Sequence, residues 1–155
     1  MSTEALNFKI TLSGTFWDKR PKFSIWIDNT KIQDGEITSA EHQTIEFSQE
    51  ITEDTSHQLK IRLENKEDTD TVKDNYDDPV NFKIIKDMLL TIESIEIDDI
   101  SLGNLLYSSK YYSDERRIVD GKEVEYITGC VNLGWNGSYI LEFTSPFYIW
   151  LLENT

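Results

Sequence analysis

Along the first hundred residues, apolar and polar positions alternate in short runs, each closed by a turn signal. Leu6, Phe8, Ile10 and Leu12 alternate with Asn7, Lys9, Thr11 and Ser13, which predicts a half-buried strand that Gly14 ends or bulges. Residues 16–21 read as a loop, because Pro21 cannot donate to a strand ladder. In the next strand Phe23, Ile25 and Ile27 share one face, and Ser24, Trp26 and Asp28 share the other. Asp28-Asn29 and Asp34-Gly35 are turn signals, and the second, set between Lys31-Ile32 and Glu36-Ile37, predicts a hairpin. Residues 44–51 predict a strand with Ile45 and Phe47 on one face. Leu59, Ile61 and Leu63, alternating with Lys60, Arg62 and Glu64, predict another.

From residue 64 to 81 the apolar signal nearly vanishes. Glu64, Glu67, Asp68, Asp70, Asp74, Asp77 and Asp78 face only Lys66 and Lys73. Residues 82–87 fit either a helical turn or a strand. Met88, Leu90 and Ile92 then restart the alternation, and Ile95 and Ile97 continue it with opposite parity. A β-bulge near Glu93-Ser94 accounts for the change, since one inserted residue restores the inward face.

The last third is also strand-like. Asp120-Gly121 and Asn136-Gly137 are two-residue hairpin signals, and Asn136-Gly137 is the stronger, because both residues accept the positive φ of a type I′ turn. Residues 147–152 are apolar throughout, which fits a strand buried on both faces or a tail that docks on a neighbour. Short strands punctuated by turns, with no long helical period, predict an all-β chain, an antiparallel β-sandwich or barrel with a C-terminal β-hairpin extension. The expected division is a sandwich over residues 1–104 and an extension over residues 105–155 packed on it, with the seam at residues 105–115.

Composition narrows the function classes. The 155 residues carry a net charge of −14, which disfavours nucleic acid and anionic membranes as partners and suits cation binding or solubility. Cys130 is the single cysteine, so a disulfide-stapled scaffold is excluded. The first residues show no basic region followed by an apolar run, so the expectation is synthesis in a cytoplasm. Only His42 and His57 are available as bases for a nucleophile, no Gly-x-Ser-x-Gly occurs, and Cys130 between Gly129 and Val131 reads as a small buried hydrophobe. Catalysis, a phosphate loop and a structural zinc site are therefore not expected.

Calcium is another matter, because it takes six to eight oxygen ligands, often from one loop. The loop from Glu64 to Asp78 offers seven carboxylates and the amides of Asn65 and Asn75, with Asp98 and Asp99 at the end of the next strand. Glu64, Asn65, Asp68, Asp70 and Asp98 are the candidate ligands, and the alternative is a solvated acidic loop. Trp17, beside Asp18, Lys19 and Arg20, and Trp26, pointing away from the apolar face of its strand, are candidate sugar platforms, with packing as the alternative. Trp135 and Trp150 read as core or interface.

Three segments carry a family resemblance: residues 21–32 (PKFSIWIDNTKI), residues 61–65 (IRLEN) before the acidic loop, and residues 90–98 (LTIESIEID). They resemble the short strand motifs of calcium-dependent xylan-binding modules, over about residues 6–102. The resemblance implies a small jelly-roll β-sandwich in which loop calcium helps coordinate sugar hydroxyls. It implies Trp17, Trp26 and Asp28 as carbohydrate contacts, and Ca2+ at Glu64, Asn65, Asp68, Asp70 and Asp98. The family's Asn-Asp step falls on Asn65-Lys66 here, so a cation stands where a ligand is expected.

The last fifty residues lie outside the resemblance and are similar in style to small proteins of tailed phages. The functional expectation is a non-catalytic carbohydrate-binding sandwich serving as an accessory or adhesion protein of a phage particle. The alternative is a purely structural virion component, assembled through Phe147, Tyr148, Trp150 and Leu152 onto virion proteins or a second copy.

Overall fold

The computed structural model of the chain describes residues 2–38, 41–74 and 83–155. Two antiparallel sheets face each other. The first has the order β12 (Asn132–Leu133), β8 (Leu89–Ile97), β1 (Thr3–Thr15), β4 (Gln43–Thr52), with β9 (Ile100–Ser101) paired to β8. The second has the order β11 (Lys122–Thr128), β10 (Lys110–Val119), β13 (Gly137–Thr144), β5 (Ser56–Leu63), β2 (Lys22–Ile27), β3 (Thr30–Glu36). A small ribbon of β6 (Val72–Asp74) and β7 (Lys83–Lys86) stands apart from both. The chain is an antiparallel β-sandwich, as its alternation predicts.

The core lies between the sheets. Leu6, Phe8, Ile10 and Leu12 of β1 and Ile92, Ile95 and Ile97 of β8 face Phe23, Ile25, Leu59, Ile61, Tyr139, Leu141 and Phe143. Each is at most 1% exposed, and burying such side chains stabilises by roughly 1.5–3 kcal/mol apiece. The parity change in β8 is a bulge: Thr11 pairs with Ser94 and Leu12 with Ile92, leaving Glu93 as the extra residue.

The turns divide into those that chemistry dictates and those that packing overrides. Asp120 and Gly121 have φ of 52° and 79° and close the β10–β11 hairpin. Asp98 and Asp99, at 51° and 66°, close the β8–β9 hairpin in the same way. Asp34-Gly35 is not a turn. Both residues lie within β3, opposite Ser24 and Phe23, and a Cβ on Gly35 would stand 3.2 Å from the Phe23 ring. The hairpin turn is made by Asp28-Asn29, with Asp28 at φ 54°.

Asn136-Gly137 is not a hairpin either, because β12 belongs to one sheet and β13 to the other. Its residues serve packing instead. The Asn136 amide accepts from Lys66 N at 2.6 Å and donates to Lys66 O at 3.0 Å. A Cβ on Gly137 would stand 2.0 Å from the Tyr112 carbonyl oxygen, so only glycine lets β13 lie this close to β10.

The C-terminal third, expected as an extension packed on the sandwich, contributes strands to both sheets. β13 lies between β10 and β5, and a 3-10 turn at Gly103–Ser108 precedes β10. Residues 147–152, expected as a strand or docking tail, belong to the helix α1 (Phe147–Asn154). Phe147 and Trp150 are 0% and 8% exposed against the core, while Tyr148 and Leu152 are 51% and 77% exposed. The four residues expected to act together at an interface are thus split between the protein's own core and its surface. The Phe147 amide donates to the Glu4 carboxylate at 3.1 Å, which fixes the start of the helix. Among the described residues no helix is long and apolar enough to cross a membrane.

Candidate functional site

The outer face of the six-stranded sheet carries a cleft of about 720 Å3, lined by Trp26, Ser24, Lys31, Asp34, Arg62 and Glu64 among others. Strand alternation puts them there. With Phe23, Ile25 and Ile27 committed to the core, Ser24 and Trp26 of β2 must face outward, and so must Lys60 and Arg62 of β5.

A chain of hydrogen bonds fixes these groups. The Trp26 indole N–H donates to Ser24 Oγ at 2.9 Å, and Ser24 Oγ donates to Glu64 Oε1. Arg62 Nε donates to the same Glu64 oxygen at 3.2 Å. The other end of the guanidinium donates to Ser138 Oγ at 2.6 Å and to both oxygens of Asp114, at 3.0 and 2.5 Å. Lys60 Nζ and Lys31 Nζ stand 5.5 and 6.0 Å from the centre of the indole ring. Lys31 Nζ also pairs with Asp34 Oδ2 at 2.6 Å. An indole face with fixed acceptors and ammonium donors around it suits a ligand that has apolar C–H faces and many hydroxyls.

The expected sugar contacts are not brought together. Trp26 lies in the cleft. Trp17 stands in the loop after β1, where its N–H donates to Asp70 O at 2.9 Å and Lys86 Nζ lies 5.0 Å from its ring. Asp28 is a turn residue whose carboxylate accepts from Gln58 N at 2.9 Å and meets His57 Nδ1 at 2.8 Å. His57 is buried. Burial disfavours its charged form, but the Asp28 carboxylate and the Thr52 carbonyl outweigh this and raise its pKa above the ordinary value.

The expected calcium ligands do not converge either. Glu64 is held by Arg62 and Ser24. Asn65 ties the chain together, accepting from Lys22 N at 2.8 Å and donating to Arg20 O at 2.9 Å. Asp68 opens the 3-10 turn Asp68–Asp70, and the buried Asp70 receives the Glu67 amide at 2.7 Å and Lys19 Nζ at 3.0 Å. Asp98 accepts from Asn7 N at 2.9 Å at the far end of β8, about 30 Å of strand away from the acidic loop. Asp77, Asp78 and Asn75 lie outside the described residues. Among the described residues no group of three or more His, Cys, Asp or Glu could hold a metal ion.

The Lys66 ammonium is tied to the chain just before β8. Lys66 Nζ lies 2.5 Å from Asp87 Oδ1 and 2.6 Å from the Met88 carbonyl, with its side chain 9% exposed. Burial pushes the Asp87 carboxyl up, but Lys66, the Thr71 hydroxyl and the Met88 amide together hold it below the usual carboxylate range. Lys19 likewise bridges Glu67 and Asp70, at 2.9 and 3.0 Å. These residues do not fit a calcium ion. Lys19 already neutralises Glu67 and Asp70, Arg62 neutralises Glu64, and Lys66 is paired with Asp87.

A hydrolytic constellation is not assembled among the described residues. His57 is spent on Asp28 and Thr52, and His42 faces Glu93 at 3.6 Å. Burial pushes the Cys130 thiol up, and it donates to Asn132 O at 3.2 Å. Sequence reasoning missed Ser24, Arg62, Ser138 and Asp114. The outward parity of Ser24 and Arg62 was available; their partners, up to 76 residues away, were not.

No protein-family model matches the chain, and no curated protein matches it. Solved structures do. One, described as vCBM60 in complex with galactobiose, superposes with a TM-score of 0.52 at 10% identity, over 87% of this chain and 96% of that one. This chain shares the fold of a carbohydrate-binding module. A second, the selenomethionine form of vCBM60 in work on two families of calcium-dependent carbohydrate-binding modules, gives 0.49 at 9% identity, over 88% and 89% of the two chains.

Proposed function

We propose that this protein is a non-catalytic carbohydrate-binding β-sandwich whose sugar packs on Trp26 in the cleft of the six-stranded sheet. The carrying observation is the fixed chain Trp26–Ser24–Glu64–Arg62 along a cleft of about 720 Å3. The indole offers a face to sugar C–H groups. Glu64 and Asp34 accept from hydroxyls, and Lys31, Lys60 and Arg62 donate to them. Because Arg62 is anchored by Asp114 and Ser138, little side-chain freedom is lost when a ligand arrives.

The fold shared with a module described in complex with galactobiose makes galactose-containing glycans the first ligands to try. No step of this reading passes through calcium. A glycan array with wild-type protein and Trp26→Ala tests it: bound glycans that are lost in the variant support the reading, and binding unchanged in the variant overturns the assignment of the cleft. The adhesive role on a phage particle is the finer part of the proposal. It draws on the composition and the style of the last fifty residues, and antibody detection in purified particles tests it.

A further inference from the structure

A sheet edge is a row of unpaired backbone N–H and C=O groups, and proteins blunt such edges with short strands, bulges, lysines, prolines or charges turned inward. Three of the edges of this sandwich follow that practice. β12 is two residues long. β3 carries Lys31, and its register with β2 shifts between Ile25 and Trp26. β11 carries Lys122, and its register with β10 shifts between Tyr112 and Arg117. β4 has none of these devices. It runs ten residues without Lys or Pro and pairs with β1 without a shift. Among the described residues no strand other than β1 pairs with it. Its core-facing positions are Gln43, Ile45, Phe47, Gln49 and Ile51, none of them charged, while Glu46 and Glu50 face solvent with Thr44 and Ser48. Phe47 stacks on the buried Phe8, with ring centres 4.9 Å apart and planes 10° from parallel, yet it stays half-buried. The core layer thus ends at this edge in an open aromatic ring, beside a concavity of about 440 Å3 that Glu46 and Ser48 also line.

We infer that β4 is a dimerisation edge, pairing antiparallel with β4 of a second copy of this chain across a two-fold axis normal to the sheet. Register selects that occupant. Residues opposite each other share a face, so such an axis sets one residue against its own counterpart. Two registers of this kind pair nine of the ten residues. Centred on Ser48, Glu46 meets Glu50 twice, acid on acid. Centred on Phe47, Glu46 meets Ser48, Glu50 meets Thr44, and no acid faces an acid. In the same register Phe47 meets its own counterpart, so the Phe8–Phe47 stack continues across the axis, flanked by Ile45 against Gln49. The strand is therefore self-complementary along nearly its whole length, which an isologous interface requires, and alternate residues supply about eight to ten backbone hydrogen bonds. An axis normal to the shared sheet leaves both six-stranded sheets on one side of it. On the carbohydrate reading above, the two Trp26 clefts then open toward the same surface and bind a dense glycan layer with avidity.

Sedimentation velocity and amide hydrogen exchange on the whole protein test this without any sugar, so the outcome is independent of the cleft. The chain is mainly dimeric at about 100 μM in about 0.5 M salt, where the charge of −14 on each copy is screened, and alternate amides of β4 gain protection as concentration rises. Ser48 is exposed, and its hydroxyl donates to the Asn7 amide oxygen, a bond that any replacement loses equally. Ser48→Lys sets a cation against Glu46 of the second copy and tightens the dimer by about threefold, whereas Ser48→Glu sets an acid there and weakens it by about tenfold. Urea unfolding of the two variants checks that the monomer fold is kept. A chain still monomeric at about 500 μM in that salt overturns the proposal. So does protection gained at another edge, or a dimer that Ser48→Lys and Ser48→Glu weaken alike, as a Ser48-centred pairing would give.

Discussion

Replacing Lys66 by methionine removes one charge while keeping an unbranched apolar stem only one atom shorter. It leaves the Asp87 carboxylate, whose side chain is 17% exposed, without its ammonium, and it strips a donor from the Met88 carbonyl. Breaking a buried pair on one side costs about 3–5 kcal/mol, and partial exposure of Asp87 brings the expectation to about 3 kcal/mol. For a domain of this size that lowers Tm by roughly 6–12 °C.

The pH dependence supplies the signature. In the wild type the Asp87 carboxyl sits below its ordinary range, so its contribution is present above the unfolded value, about 3.9, and is lost as pH falls through the native value. In Lys66→Met burial acts without that ammonium and raises the carboxyl, so the gap between the proteins is widest near neutral pH and narrows in acid. Lys66→Met with Asp87→Asn recovers part of the loss. Urea unfolding at pH 7 and pH 4 measures it. A loss under about 1 kcal/mol, or a gap that does not change with pH, refutes the view that Lys66 is the structural cation of this loop. On the same view millimolar calcium and a chelator leave Tm alike; a calcium-dependent rise places a metal here after all.

Other perturbations probe other parts of the fold. Gly137→Ala sets a Cβ 2.0 Å from the Tyr112 carbonyl and separates β13 from β10, with an expected loss of about 3 kcal/mol or more in urea unfolding. His57 has a raised pKa, so its contribution is full below about 6.5 and is lost as pH rises through the native value; His57→Gln flattens that slope in a stability profile. Trp150→Ala opens the core under α1 and costs about 3 kcal/mol by thermal or urea unfolding, while Leu152→Ala, 77% exposed, stays within about 0.5 kcal/mol.

The strands that build the sandwich were legible because their core-facing apolar residues recur with period two. Leu6 to Leu12, Phe23 to Ile27 and Leu59 to Leu63 each show it, and the Glu93 bulge followed from one broken parity. What failed were motifs read by local chemistry when long-range packing decided their use. Asn136-Gly137 has the composition of a turn, yet its amide clasps Lys66 and its missing Cβ admits Tyr112. The apolar run at 147–152 hid a helix because solvent-facing Tyr148, Ile149 and Leu152 are apolar too.

The site was half legible for the same reason. Trp26 faces outward by parity alone. The partners that give the surrounding charges their meaning lie 21 residues off for Lys66–Asp87 and 52 for Arg62–Asp114. An acid-rich stretch looks like a metal site until its own lysines are placed.

The chain has four tryptophans, and the indole N–H of Trp26, bonded to Ser24, reports directly on the cleft. The deciding measurement is a 1H–15N titration with galactobiose and with the strongest binder from the glycan array, the indole signals assigned by single Trp→Phe variants. The account predicts that the Trp26 indole and the Arg62 side-chain signals shift together and saturate, while the Trp150 indole under α1 does not move. A bound glycan that shifts other signals and leaves Trp26 and Arg62 unmoved contradicts it.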